Sequence, residues 1–130
     1  MENKKPKADR FNGGKLQWSL MDFKCHEDMV RVLEFGAKKY SRDNWRKGLD
    51  INELHDSVMR HLVAMMGGEY FDQESQLPHY AHIQCNMMFI AYEAQSQIKD
   101  NGPLKTYFGG QVTPLPHKAW DNKVSTPLSK

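Results

Sequence analysis

The chain has 130 residues, 39% of them hydrophobic and 26% charged, which fits one globular domain with a modest core and leaves too little for two. Eighteen Lys and Arg against 16 Asp and Glu leave a formal charge of +2, so composition makes no global case for a nucleic-acid or anionic-membrane partner. No apolar run approaches the roughly 18 residues of a membrane span, and the lysine-rich start lacks the apolar stretch of a signal peptide; a cytoplasmic location is expected.

Residues 1–10 are polar and read as a flexible tail, with Lys4, Lys5, Lys7 and Arg10 as solvated charges. Asn12-Gly13-Gly14 is a turn signal, and the stretch after it reads as an extended arm laying Leu16, Trp18, Leu20 and Met21 on a neighbouring surface. Over residues 25–40 a helical period places Met29, Val32, Leu33, Gly36, Ala37 and Tyr40 on one stripe. Gly36 in that stripe suggests close approach by another helix, because an interior Gly otherwise costs about 1 kcal/mol.

SRDNWRKG, residues 41–48, reads as a loop. Its Trp45 is either a partly buried anchor or a surface on which a base stacks beside Arg42, Arg46 and Lys47. Asp50 or Asn52 caps the next helix, which buries Leu54, Val58, Leu62 and Met65, carries His61 at the edge of that stripe, and stops at Gly67-Gly68. Ser75 is the expected cap of the last long helix, with Pro78 in its first turn and Tyr80, Ile83, Met87, Ile90, Ala91 and Ala94 inward. Beyond about residue 100, glycines and prolines end the helix. An extended arm over 101–130 is expected beside a helical domain over 11–100. Cys25 and Cys85 lack close pairing and read as reduced, buried residues.

Chemistry concentrates in residues 60–86, RHLVAMMGGEYFDQESQLPHYAHIQCN. Glu69, Asp72 and Glu74 offer oxygen ligands of the kind Mg²⁺ or Mn²⁺ takes. His79, His82 and Asn86, spaced i, i+3, i+7, share a helical stripe and suit proton handling or ligation. Arg60 and His61, with Lys38 or Lys39, supply positive charge for a polyphosphate. Metal-assisted phosphoanhydride hydrolysis is the reaction class these groups point to.

FGAKKYSRDNW (residues 35–45), Arg60-His61, GEYFDQES (68–75) and LPHYAHIQCN (77–86) together resemble the phage-encoded dATP/dGTP diphosphohydrolases, the MazZ-like relatives of the all-α MazG nucleotide pyrophosphatases. The resemblance implies an all-α, MazG-like helical bundle, oligomeric as a dimer or tetramer. It further implies Mg²⁺- or Mn²⁺-dependent cleavage of a purine (deoxy)nucleoside triphosphate to monophosphate and pyrophosphate. Carried over, Glu69, Asp72 and Glu74 become metal ligands and His79, His82 and Asn86 catalytic residues. Lys38, Lys39, Asn44, Trp45, Arg60 and His61 become substrate contacts. No membrane partner and no stable nucleic-acid complex are implied. One departure is plain: the ExxE helix of MazG proteins has no counterpart here.

Two other functions compete. Adjacent His55-Asp56, with His26 and Asp100, imitates an HD phosphohydrolase, although the two neighbours point in different directions on a helix. A nucleotide-binding protein without turnover is the second, distinguished by ligand that stays intact.

Overall fold

The computed structural model describes residues 7–99 and the backbone of 104–105 and 111–112. The chain divides into two compact units, one of residues 1–21 with 115–130 and one of residues 22–114. In the first, the described residues form a single 3₁₀ turn at Trp18–Leu20 in place of an extended arm. Leu16, Trp18 and Leu20 are exposed there. The expected C-terminal arm and Asp100 lie outside the described residues, apart from two short strands.

The second unit is helical. Helix α1 spans Glu27–Lys39, α2 spans Ile51–Met66 and α3 spans His79–Lys99; strands β1 (Leu104–Lys105) and β2 (Gln111–Val112) form one small antiparallel pair. Helix α1 is preceded by a 3₁₀ turn, Phe23–His26, whose entry is held by Asp22 accepting from Lys24 N at 3.0 Å. Asp50 caps α2, its Oδ1 accepting from Asn52 N at 2.7 Å and Glu53 N at 3.3 Å. After Met66 the chain turns at Gly67 and Gly68, the latter at φ +105°, a conformation only glycine adopts without strain.

Helix α3 is the hub against which both α1 and α2 pack. Val32, Ala81 and Cys85 form the core cluster, with Met29, Leu33, Leu77, Tyr80 and Phe89 around them. Ala81 and Cys85 are one turn apart and small, which lets the other helices come close. The inward face of α3 therefore differs from the expected one: Met87 is 50% exposed and Ala91 is exposed. Apolar residues occur all round α3, so periodicity alone does not single out its buried side. Polar ties fix the helices in register, with Tyr80 Oη donating to Asp28 Oδ2 at 2.9 Å, Gln84 Nε2 to Cys25 O at 3.2 Å, and Asn86 Nδ2 to Ser57 Oγ at 2.9 Å.

Three further expectations are corrected. A Cβ added to Gly36 meets nothing within 4 Å, so close packing within the chain does not account for that glycine. Ser75 does not cap α3, which starts at His79; Phe71 and Pro78 form an isolated antiparallel bridge that closes the segment before it. Both cysteines are free as expected, but Cys25 is exposed, whereas burial pushes the Cys85 thiol up to about 12.

Candidate functional site

The site is built where α2 ends, the 67–78 connector folds back and α3 begins. Backbone bonds close the connector on itself: Asp72 N donates to Leu77 O at 2.8 Å, Gln76 N to Asp72 O at 2.8 Å, and His79 N to Tyr70 O at 2.9 Å. The turn puts Gln76 at φ +65°, a left-handed conformation costly for a side-chain-bearing residue. These bonds fold the acids of the connector onto the first turn of α3. His61 meets them from α2.

His79 is 3% exposed and is held at both ring nitrogens. Its Nε2 lies 2.8 Å from Glu69 Oε2, and its Nδ1 lies 2.8 Å from the Nδ1 of His61. The carboxylate only accepts, so Nε2 carries a proton, and a neutral His79 then presents a bare lone pair at Nδ1. The His61 ring stacks on that of His82, with centroids 4.5 Å apart and planes 5° from parallel. His82 Nε2 lies 2.7 Å from Ser75 Oγ and 3.8 Å from Asp72 Oδ2. Ser75 also donates its backbone N–H to Asp72 Oδ2 at 2.8 Å, while its hydroxyl oxygen accepts from Leu77 N at 3.2 Å.

Burial holds the His61 and His82 imidazoles below the ordinary histidine value; neighbouring histidines add to this, and Asp72 opposes it. Both are therefore neutral near pH 7, the form that binds metal or accepts a proton. Burial acts to raise Asp72, but hydrogen bonds from Ser75 and the nearby His82 and His61 outweigh it and hold the carboxyl below its ordinary value. Asp72 is ionised.

The structure thus brings together His61, Glu69, Asp72, His79 and His82, from three separate segments of the chain. Glu74 is drawn elsewhere, its Oε2 2.6 Å from Lys39 Nζ. Asn86 shares the stripe of His82 but spends its amide on Ser57. Arg60 and Lys38 are exposed and Asn44 is half-buried. Trp45 packs on Phe89 at 5.0 Å with its plane 29° away, meets Tyr92 edge-on at 5.0 Å, and carries the Arg46 guanidinium 4.3 Å from its ring centre. Those contacts make it an anchor of the 41–48 loop. His55 and Asp56 lie on α2 outside the cluster, and His26 ends the turn before α1. Ser75, expected from the sequence only as a helix cap, is the residue whose place in the site was missed: its three-residue spacing from Asp72 is the local signal for the turn it makes.

Among the described residues, one group of three offers ligand atoms all within 4.8 Å of one another: His61, Asp72 and His79. Two imidazoles and one carboxylate do not fit Mg²⁺, a hard ion that takes oxygen ligands and keeps much of its water. Nor do Glu69, Asp72 and Glu74 converge, since Glu69 serves His79 and Glu74 serves Lys39.

Fold and site together define an all-α protein with a histidine and carboxylate cluster set between two helices and their connector. Residues 5–101 match the family described as dATP/dGTP diphosphohydrolase, N-terminal, and the chain belongs to that family. It is also similar to a dATP/dGTP diphosphohydrolase of Salmonella phage PMBT28, with 41% identity over 81 residues. That stretch is 62% of this chain and 28% of the relative, so the chain spans well under a third of that protein's length. No solved structure matches. Among the described residues no helix is long and apolar enough to cross a membrane.

Proposed function

We propose that this protein hydrolyses purine deoxynucleoside triphosphates, dATP or dGTP, to the monophosphate and pyrophosphate, and does so with a divalent metal ion in the host cytoplasm. The observation that carries the reading is the His61–Asp72–His79 group, placed in a chain of this family with the neutral imidazole of His61 beside an ionised carboxylate. His61, Asp72 and His79 would hold the cation, which when bound would supply charge neutralisation for the phosphates and a more acidic water. The chain's own residues do the rest. Glu69 and Ser75 fix the orientations of His79 and Asp72. His82, neutral and near Asp72, accepts a proton from the attacking water at Nε2, displacing the Ser75 hydroxyl as its partner.

Lys38, Lys39 and Arg60 supply cations for the triphosphate, with Lys39 exchanging Glu74 for a phosphate oxygen. His82, Asn86 and Phe89 lie on one stripe of α3. Seven residues of helix rise by about 10 Å, which sets the Trp45–Phe89 aromatic group at nucleotide distance from the histidines. Base stacking on Trp45 requires Arg46 to swing off the ring, and Asn44 lies next to it.

The same reading includes a MazG-like bundle formed by two or four copies. Met59, Val63 and Met66, spaced i, i+4, i+7 on α2, are 52%, 63% and 76% exposed and form an apolar stripe suited to a helix of another copy. Light scattering is expected to give a dimer or tetramer, and a monomer at micromolar concentration removes that part.

The test is incubation with each nucleoside triphosphate and a divalent metal, products being resolved chromatographically beside Asp72→Asn. Monophosphate and pyrophosphate, lost in the variant, are expected. Nucleotide that binds and stays intact with every metal overturns the hydrolase in favour of a binding protein.

A further inference from the structure

The approach of two imidazole Nδ1 atoms to 2.8 Å has two physical explanations. Either a proton joins them or a metal ion sits against both. Two nitrogens bound to one octahedral ion at about 2.1 Å and at right angles are roughly 3.0 Å apart, close to what is observed. The remaining groups agree with the second explanation. His79 Nε2 is held by Glu69, the carboxylate–histidine arrangement that directs the other ring nitrogen at a metal and strengthens it as a ligand. Asp72 is fixed by the Ser75 backbone, so its carboxylate is positioned before any ion arrives. All three ligand atoms fall within 4.8 Å of one another, and three protein ligands leave positions open for water and phosphate oxygens.

We infer that His61, Asp72 and His79, with Glu69 behind His79, bind one borderline divalent transition-metal ion, of the Mn²⁺, Co²⁺ or Zn²⁺ class, in preference to Mg²⁺. Imidazole is the ligand that separates these ions, because transition metals bind it well and Mg²⁺ gives up water for it reluctantly. The inference rests on the proposed hydrolase only in making this ion its cofactor; the site itself rests on donor types and distances. Glu69 is a positioning residue, acting through His79.

The experiment uses the full chain stripped by chelator, with Co²⁺ as the probe and its visible ligand-field absorption as the readout. One Co²⁺ per chain is expected, with bands that a hundredfold excess of Mg²⁺ leaves in place. Asp72→Asn and His61→Gln are expected to weaken Co²⁺ at least 10-fold, and Glu69→Gln about 10-fold, with helical circular dichroism retained. Undiminished binding in His61→Gln overturns the inference. So does displacement of Co²⁺ by an equal concentration of Mg²⁺, a comparison on the unmodified chain that needs no variant to fold. Triphosphate hydrolysis with Mg²⁺ but no Co²⁺ bands sinks the metal assignment and leaves the hydrolase. A Co²⁺ site without turnover does the reverse.

Discussion

Residues 40–50 and residues 67–78 each carry the chain from one helix to the next, and they are held by different forces. The first link has its own turn bonds, but what fastens it to α3 is largely aromatic contact: Trp45 lies among Phe89, Tyr92 and the Arg46 guanidinium, with Leu49 N donating to Glu93 Oε2 at 2.9 Å beside them. The second is fastened by hydrogen bonds among Asp72, Ser75, Leu77, His79 and His82. Dispersion and hydrophobic burial are non-directional, so an aromatic anchor fixes where a loop sits without fixing where its polar atoms point. Hydrogen bonds are directional, and a network of them sets the aim of each ring nitrogen and carboxylate oxygen. Chemistry needs the second kind of fastening.

Substitutions in the two links are therefore expected to fail differently. Asp72→Asn removes a charged ligand while keeping its shape, and is expected to lower the rate of triphosphate hydrolysis by more than about 100-fold in single-turnover kinetics. Its urea midpoint should move little, and a wild-type rate would place the chemistry elsewhere. Trp45→Ala should instead cost stability while leaving the metal group in place. Half-burial puts its loss at about 2 kcal/mol in urea unfolding, below the full cost of a buried Trp, with Co²⁺ affinity within twofold of wild type. A matching loss of metal affinity would join the two links into one unit.

The start of α3 is tied to α1 through Tyr80 and Asp28, and this polar tie has a pH signature. The hydrogen bond to Asp28 raises the Tyr80 phenol to about 12. The folded state therefore holds this proton more tightly than the unfolded chain. The contribution is complete below about pH 10 and is lost as pH rises through about 12. Ultraviolet titration of the five tyrosines should show one with this late step, and Asp28→Asn should move it back toward 10; five ordinary transitions would remove the tie. The smallest effect is at Gln76. Gln76→Gly relieves the left-handed backbone but frees the unfolded chain, and a net stabilisation of about 0.5 kcal/mol is expected by urea unfolding. Destabilisation would mean that the side chain, whose Nε2 donates to Gln73 O at 3.2 Å, matters more than the backbone.

Features governed by neighbouring residues were legible in the sequence. The Asp50 cap, the stop at Gly67-Gly68 and the three helices depend on spacing and backbone preference, and each emerged close to its expected bounds. The stripe of His79 and His82 was equally readable, as was its nearness to the acids of the connector. Pairings across helices were not. That Glu74 is taken by Lys39 and that His61 meets His79 are products of tertiary folding. Ser75 illustrates the limit, because its spacing before α3 suits a cap equally well until Pro78 is seen to bridge Phe71 and delay the helix to His79.

The span of the Ser75–His82 bond bears on the order in which the molecule assembles. Those residues are seven apart, and Glu69 and His79 ten apart, so the connector closes on α3 through short loops with little entropy to overcome. Lys39 reaches Glu74 across 35 residues and Asn86 reaches Ser57 across 29. Contacts of short sequence separation form early on average and distant ones later. Glu69, Asp72 and the two α3 histidines are therefore expected to come together early, with His61, eighteen residues from His79, following as α2 docks. The last ligand to join the group is the one that reports the helices have met.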